Sequence, residues 1–303
     1  MPRKRLEEIA LRVLARRGQA RTSLPAALAD LDSIARIELI LAVEAEFGIE
    51  FAEEEIAGIA TIEALDAAIE GHGHASAPPA PQPPMHAAFA PGGADDLPRS
   101  PFHRPARVLI AGWTRLWCRL SVTGVSNLPE AGSCFLVANH ASHLDSLVLL
   151  TAARARRHDL IFPAARDYFF SRRRFAQLAR HVLPLLPFER EGATGELLGN
   201  LRLLSACRDA ARIIVLFPEG TRSSSGELLP FKEGLSFFAG QLQVPVVPCW
   251  IDGTHRALPR GAWLPRPGRL RVAFGPPVSP QADGRVPTAG IRQAMLALRD
   301  SLP

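Results

Sequence analysis

Over residues 1–74, hydrophobic residues recur with the 3.6-residue period of amphipathic helices. The predicted first helix has an apolar face made of Leu6, Ile9, Val13 and Leu14. The predicted second helix, closed by Gly48, has a stripe made of Ile34, Ile37, Leu41, Ala45 and Phe47. Thr61 and Gly71 are predicted to bound a last helix. Three or four short helices of this kind predict a small all-α, four-helix bundle.

After residue 101 the pattern changes to short apolar runs that end in polar or glycine residues. The runs read SCFLVANH, ARIIVLFPEG, VPVVPCWIDG and RLRVAFGPP. Helical patterns lie between them, over residues 145–155 and 196–211. This alternation predicts an α/β domain with a mixed, largely buried sheet flanked by helices. Chemistry in such domains sits at the ends of strands.

Proline and alanine dominate residues 75–101, which show no apolar period and are predicted to be a linker. The predicted organisation is therefore multidomain: a helical domain over 1–74, the Pro/Ala-rich linker over 75–101, and an α/β domain over 102–303.

The net charge of +5 is unevenly distributed. Residues 1–75 contain 8 Lys and Arg against 14 Asp and Glu, a net charge of −6, so the remainder carries +11. This division indicates two domains with different partners. The basic part is suited to nucleic acid, an anionic membrane or an anionic substrate. Nucleic acid ranks last, because zinc-finger spacing and an RNA-binding aromatic signature are missing and there is one tyrosine.

The four cysteines are scattered and form no C-x-x-C pair, so we expect neither a metal site nor a disulfide framework. Free cysteines are typical of a reducing, cytoplasmic compartment. The basic N-terminus leads into no apolar core of signal-peptide length. No apolar run approaches the ~18 residues of a transmembrane helix, so none is predicted.

Two polar clusters follow predicted strands. In ANHASHLD, His140 precedes Asp145 by the spacing H-x-x-x-x-D. A carboxylate in the first turn of the next helix can accept from one ring nitrogen and raise the basicity of the other. His143 is only two residues from Asp145, a spacing that does not share a helical face. The alternative is that both histidines only cap or pack at a strand end.

The second cluster, FPEGTR, contains Glu219, Gly220, Thr221 and Arg222. Glycine permits close backbone approach and arginine offers a fork for an anion, although a tight turn with a surface arginine would look the same. Arg190 in PFERE is a further candidate, or a solvated charge. The run VPVVPCW is interpreted as a wall of the site.

Ser33 follows Asp32 and opens the second predicted helix, which is also a common N-cap arrangement. From Asp30 to Glu70 there are 12 acidic residues and one basic residue, Arg36, a surface suited to docking on basic enzymes. With this Asp-Ser turn, the helix ELILAVEAEFGIEF and the TI turn, residues 1 to about 72 resemble acyl carrier proteins. That resemblance implies 4′-phosphopantetheine bound covalently to Ser33, with a phosphopantetheinyl transferase and an acyl-loading enzyme as partners.

The four blocks ANHASHLD, PFERE, FPEGTR and VPVVPCW together resemble glycerolipid acyltransferases typified by bacterial 1-acylglycerol-3-phosphate acyltransferase, over about residues 108–280. The resemblance implies that His140 is the general base and that Asp145 orients it. It also implies a set that binds the acceptor's phosphate and shapes the site: Arg190, Glu219, Gly220, Thr221 and Arg222.

The combined prediction is an acyltransferase that moves a fatty acyl group from a phosphopantetheine thioester, on its own carrier domain or another donor, to a lysophospholipid hydroxyl. The same chemistry in a specialised lipid or lipid-linked product is one alternative, and a non-catalytic, membrane-docked carrier is another. Residues 102–122 combine Trp113 and Trp117 with arginines, which favours a peripheral position on the inner face of the cytoplasmic membrane. A helix packed on the sheet would show the same pattern.

Overall fold

The computed structural model describes residues 2–16, 28–31, 33–73, 112–113, 117–165, 183–189, 194–232, 234–259, 261–262, 264–281 and 286–302. The chain divides into two compact units, an N-terminal helical unit and a larger unit built around a sheet. The predicted linker over 75–101 lies outside the described residues, so the domain boundaries stay predictions.

Helices make up the N-terminal unit. Its elements are α1 (Pro2–Arg16), a 3-10 turn (Leu28–Asp30), α2 (Ser33–Phe47), α3 (Glu53–Gly58) and α4 (Ile62–Gly73). The first helix buries the face that its sequence predicts, namely Leu6, Ile9, Val13 and Leu14. Burial of these side chains is what holds so short a helix in place, because isolated helices of this length are marginal in water.

The predicted stripe of α2 is wrong in all but one position. The buried residues are Ala35, Ile37, Leu39, Ile40 and Val43, whereas Ile34, Leu41 and Phe47 are half-buried and Ala45 is exposed. Apolar residues occur all around this helix, so its sequence alone does not single out the face that the neighbouring helices cover.

Two of the three predicted helix ends in the helical unit are present. Gly48 has a φ of +65°, the left-handed conformation that ends helices, directly after α2. The hydroxyl Oγ1 of Thr61 accepts a hydrogen bond from the backbone N–H of Ala64, 3.1 Å away, which makes Thr61 the N-cap of α4. The end of α4 is different: the helix continues through Gly71 to Gly73.

The described strands of the larger unit form one sheet in the order β1-β7-β6-β2-β5-β3-β4. Their bounds are β1 (Ser121–Thr123), β2 (Cys134–Ala138), β3 (Leu160–Ala165), β4 (Leu185–Phe188), β5 (Ile213–Leu216), β6 (Val246–Asp252) and β7 (Arg271–Phe274). Neighbouring strands pair in parallel except β6 and β7, which are antiparallel.

The helices of this unit are α5 (Leu144–Ala152), α7 (Gly234–Leu242), α8 (Thr254–Ala257) and α9 (Thr288–Ser301). Of α6 (Thr194–Asp209), residues 203–209 belong to this unit and residues 194–202 to the helical one. Two 3-10 turns, Val125–Asn127 and Arg154–His158, complete its described elements. The predicted multidomain fold, with a helical unit followed by a mixed sheet among helices, is confirmed at this level.

The centre of the sheet explains where the chemistry is placed. Every residue of β2 is buried, and β2 lies between β5 and β6 and parallel to both. The carboxyl ends of these three strands therefore meet at one edge of the sheet, which is where parallel sheets carry their sites. His140 follows β2 at that edge, and Glu219 follows β5.

Candidate active site

His140 and Asp145 are in direct contact beyond the end of β2. Asp145 is the second residue of α5 and has no exposed surface. Its Oδ2 atom accepts from His140 Nδ1 at 2.9 Å and from the backbone N–H groups of Ala141 and Ser142 at 2.8 Å each. Since a carboxylate only accepts, neutral His140 carries its proton on Nδ1 and keeps a lone pair on Nε2. The arrangement leaves Nε2 as the atom that can take a proton from a substrate.

Phe217 fixes the plane of the His140 ring. The two rings stack with centroids 4.1 Å apart and planes 17° from parallel. Phe217 directly follows β5, so the parallel neighbour of β2 supplies this contact. Together with the Asp145 hydrogen bond, the stack restricts the direction in which Nε2 points.

The carboxylate of Glu219 binds backbone on both sides. Oε1 accepts from the N–H of His140 at 2.7 Å, and Oε2 accepts from the N–H of Leu229 at 2.8 Å. Burial raises the pKa of Glu219, and the two backbone hydrogen bonds oppose that rise. Glu219 is only 3% exposed, so its role is to join the His140 segment to the loop that follows β5.

Gly220 adopts a conformation that side chains rarely allow. Its φ is +67°, and its N–H donates to the carbonyl of Phe217 at 3.0 Å, closing a tight turn. A Cβ atom here would lie 2.9 Å from Cε of Lys232. Glycine therefore lets the turn form and lets the Lys232 side chain cross it.

Thr221 and Arg222 continue this turn toward the histidines. Thr221 is exposed and Arg222 is half-buried. No carboxylate pairs with Arg222 among the described residues, so its guanidinium is available to an anion. The next residue, Ser223, donates its backbone N–H to the carbonyl of His140 at 2.8 Å, which brings Arg222 close to the His140 segment.

His143 is in a different electrostatic position from His140. Burial lowers the pKa of His143 to about 4, and the charges of Arg222 and His140 act in the same direction, against the opposing effect of Asp145. His143 is therefore neutral at pH 7 and adds no positive charge to the site.

Asn139 and Ser142 are site residues that the sequence interpretation missed. The side chain of Asn139 bonds both backbone groups of Ile251, donating to its carbonyl at 2.9 Å and accepting from its N–H at 2.7 Å. The hydroxyl of Ser142 donates to the carbonyl of Leu258 at 2.8 Å. The only signal in the sequence was their position next to His140 in ANHAS, since their partners lie over a hundred residues away.

Cys249 lies within electrostatic reach of Asp145. Burial raises the pKa of its thiol, and the charge of Asp145 raises it further. Cys249 therefore stays protonated and is not a nucleophile.

The second carboxylate oxygen of Asp145, Oδ1, is buried and has no hydrogen-bond partner among the described residues.

Two predicted residues have no described side chain. Arg190 lies outside the described residues, and Ser33 is described only as the first residue of α2. The turn before Ser33 is held by Arg36, whose Nε donates to the carbonyl of Leu28 at 3.1 Å. Asp30 in the same turn is exposed.

Within the ranges that the structure covers, no cluster of His, Cys, Asp or Glu side chains has the geometry to hold a metal ion. The same ranges contain no helix that is long and apolar enough to cross a membrane.

Comparison with protein families gives two matches. Residues 4–69 match the family described as "Phosphopantetheine attachment site", and residues 119–252 match the family described as "Acyltransferase".

Individual relatives match about half of the chain. The 1-acyl-sn-glycerol-3-phosphate acyltransferase of Limnanthes alba is 28% identical over 149 residues, which cover 47% of this chain and 49% of the relative. The human enzyme named beta is 32% identical over 142 residues, covering 43% and 45%. The mouse enzyme named alpha is 29% identical over 163 residues, covering 53% and 55%. The chain thus spans about half the length of the curated relatives it matches.

Among solved structures, the 1-acyl-sn-glycerophosphate acyltransferase PlsC of Thermotoga maritima is similar with a TM-score of 0.49 and 22% identity, covering 71% of this chain and 84% of that one. The family matches confirm the two predicted modules: residues 4–69 match the phosphopantetheine-attachment family, and residues 119–252 match the acyltransferase family.

Proposed function

We propose that this chain transfers a fatty acyl group from a phosphopantetheine thioester to the hydroxyl of a lysophospholipid such as 1-acylglycerol-3-phosphate. The observation that carries the proposal is the hydrogen bond from His140 Nδ1 to the buried Asp145 carboxylate at the carboxyl edge of the sheet. The acceptor is proposed from the names of the relatives, which are 1-acyl-sn-glycerol-3-phosphate acyltransferases.

The contacts of His140 suit it to general base catalysis. Nε2 takes the proton of the acceptor hydroxyl as the oxygen attacks the thioester carbonyl carbon. Asp145 stabilises the imidazolium that results and holds the ring in place. When the carbon–sulfur bond breaks, His140 returns the proton to the departing sulfur. The products are an ester and a free thiol, and no covalent acyl-enzyme is required.

Glu219 and Arg222 assist in different ways. Glu219 holds the backbone of His140 and of Leu229 through one hydrogen bond to each of its oxygens, so it keeps the base in position. Arg222 has no carboxylate partner in the described residues and offers its guanidinium to the acceptor's phosphate, for which an arginine fork is well suited. Arg190, Gly220 and Thr221 stay proposed members of the same acceptor region.

Ser33 fits the attachment of 4′-phosphopantetheine. It opens α2 after a turn that Arg36 holds, and the N–H groups of a first helical turn favour a phosphate. When bound, the group supplies a terminal thiol that carries the acyl chain. The proposed partners are a phosphopantetheinyl transferase and an acyl-loading enzyme.

We propose that the tethered carrier is the donor for its own acyltransferase domain. A tether raises the effective donor concentration to about the millimolar range when geometry permits. At roughly 3 Å per residue, the predicted linker spans several tens of Å. Removal of residues 1–75 is then expected to impair transfer from carrier-bound acyl chains. If the truncated chain transferred from a separate, free carrier as well as the full-length chain does, that result would contradict the proposal.

We also propose that the chain works peripherally on the inner face of the cytoplasmic membrane. Trp117 is 52% exposed although it is a large hydrophobic residue. The backbone N–H of Trp117 donates to the backbone carbonyl of Trp113 at 2.8 Å. Exposed tryptophan near basic residues is suited to a membrane interface.

The test of the function is product formation by the full-length chain. The chain is supplied with an acyl thioester and 1-acylglycerol-3-phosphate, and phosphatidate is measured by mass spectrometry. We expect His140→Ala to lower kcat/KM by about 10²–10⁴-fold. His158→Ala, in an exposed 3-10 turn, is the matched control and should keep wild-type rates. Retained transfer by His140→Ala would overturn the proposal in favour of a non-catalytic carrier.

A further inference from the structure

A cleft of about 340 Å³ lies beside His140, at the same edge of the sheet. Asn139 and Ala141, the two neighbours of His140 in the chain, line it. The end of β6 and the start of α8, residues 250–256, line another part, and residues 225–227 of the loop after β5 line a third. The cleft therefore lies beyond the ends of β2 and β6; Arg222, whose loop also supplies residues 225–227, does not line it.

The lining of this cleft carries three arginines and two carboxylates, a formal charge of +1. Arg256, Arg271 and Arg299 line it together with the carboxylates of Asp252 and Glu227. A single atom, Oδ2 of Asp252, accepts from both Arg271 at 3.0 Å and Arg256 at 3.2 Å. Each of these two arginines uses one nitrogen in the bond, so further N–H donors remain for an anionic ligand.

Arg299 reaches the cleft from α9. Its guanidinium lies over the ring of Trp250, 5.9 Å from the centroid, and 3.9 Å from a carboxylate oxygen of Glu227. Its Nε donates to Oδ1 of Asp300 at 2.9 Å, and the stack on Trp250 uses none of the remaining N–H donors. Arg299 and Arg256 have side chains that are 42% and 72% exposed, so their replacement should not disturb the core.

The cleft also contains an unsatisfied polar atom. Nδ1 of His255 is buried and has no hydrogen-bond partner among the described residues. Gly226 packs on the same ring, where a Cβ atom would lie 3.3 Å from Cδ2 of His255. Because Nδ1 is buried, a ligand in the cleft would contact other atoms of the His255 ring.

We propose that this cleft binds the phosphate-bearing pantetheine arm of the acyl donor. The inference rests on the proposed function, because that reaction joins two substrates that each carry a phosphate. Arg222 is proposed to serve the acceptor's phosphate and does not line the cleft, which leaves the arginines of the cleft for the phosphate of the donor. The arm's amides and hydroxyl match the polar lining, including His255, and the thioester would then lie next to His140.

Donors that differ only in the phosphate test this assignment. The full-length chain carries Ser33→Ala, so that it has no arm of its own, and receives either acyl-phosphopantetheine or acyl-pantetheine in solution. Arg256→Gln and Arg299→Gln are compared with Arg292→Gln, an exposed arginine of α9 that does not line the cleft. We expect each cleft variant to raise KM for acyl-phosphopantetheine about tenfold, the effect of losing one charged hydrogen bond. KM for acyl-pantetheine and for the acceptor should stay unchanged, and Arg292→Gln should change none of the three.

Two results would overturn the assignment. An equal rise in KM for both donors would show that the cleft does not recognise phosphate. A rise in KM for the acceptor alone would assign the cleft to the acceptor's phosphate.

A binding measurement separates this inference from the function on which it rests. Calorimetric titration of the Ser33→Ala chain with phosphopantetheine and with pantetheine needs no acyl transfer. If phosphopantetheine binds more tightly than pantetheine and Arg299→Gln removes that difference, the result would support the cleft assignment even if the chain transferred no acyl group. Equal binding of the two compounds would overturn the inference whatever the activity.

Discussion

Replacement of Glu219 by glutamine separates a backbone role from a substrate-binding role. The resemblance to known acyltransferases assigns this residue to the acceptor region, whereas in the structure both carboxylate oxygens accept backbone N–H groups. Glutamine has nearly the same shape but only one accepting oxygen. In Glu219→Gln, either the N–H of His140 or the N–H of Leu229 therefore faces an NH₂ group.

The size of the effect follows from these two bonds, which measure 2.7 and 2.8 Å. One charge-assisted hydrogen bond becomes a neutral one, and the other leaves a backbone donor without an acceptor. Together they cost about 2–4 kcal/mol of unfolding free energy. For a unit of this size, the midpoint of thermal unfolding falls by about 5–15 °C. Because the His140 backbone moves with it, kcat should fall about ten- to a hundredfold.

The assays are thermal unfolding of the full-length chain and steady-state kinetics with varied acceptor. Glu130→Gln, an exposed glutamate, is the control and should match the wild type in both. The expected pattern for Glu219→Gln is lower stability and lower kcat with little change in KM for the acceptor. An unchanged unfolding midpoint with a tenfold higher acceptor KM would refute the backbone role and support direct substrate binding.

Three further predictions concern glycine geometry, a buried histidine and the membrane. Gly253→Ala should destabilise the chain at least about twice as much as Gly261→Ala, as measured by denaturant unfolding. Both glycines have a φ near +90°, which costs alanine about 1–2 kcal/mol, but only at Gly253 would the Cβ meet backbone, 2.1 Å from the carbonyl oxygen of Arg269. Equal losses would contradict the close contact. Since the pKa of His143 falls from 6.5 to about 4 on folding, the unfolded chain binds a proton between these values and stability is lost as pH falls through that window. Between pH 7 and pH 4.5, the unfolding free energy of His143→Asn should therefore fall by about 1–2 kcal/mol less than that of the wild type, after allowance for the partial exposure of His143. Equal falls in the two proteins would contradict this. Trp117→Ser should bind anionic phospholipid vesicles about fivefold more weakly in a sedimentation assay, and equal binding would remove Trp117 from the membrane surface.

The sequence predicted the central strands because they are unbroken apolar runs. β2, β5, β6 and β7 all appear where the pattern places them, within runs that the folded sheet buries. The missed strands have different compositions. β1 is three residues with two hydroxyl side chains at an edge of the sheet, and β3 and β4 contain Pro163 and Pro187 without the valines that precede Pro248 in β6. Proline and short polar edges weaken the pattern on which strand prediction depends.

The local part of the site could also be predicted. The gap from His140 to Asp145 crosses one strand-to-helix turn, and the expected hydrogen bond is present. The contacts that hold this turn in place join distant parts of the chain. Glu219 bonds a residue 79 positions away, and Asn139 bonds one 112 positions away. Such pairings depend on the strand order, which no local pattern contains.

The most direct measurement of the central claim follows the acyl group on the protein itself. The full-length chain is loaded at Ser33 with an acyl-phosphopantetheine, mixed with 1-acylglycerol-3-phosphate, and quenched for intact-protein mass spectrometry. We predict that the acyl mass leaves the wild-type protein as phosphatidate appears, while His140→Ala keeps its acyl mass over the same period. Equal loss of the acyl group from both proteins, or retention by both with a chemically intact acceptor, would contradict His140-dependent transfer from the carrier domain.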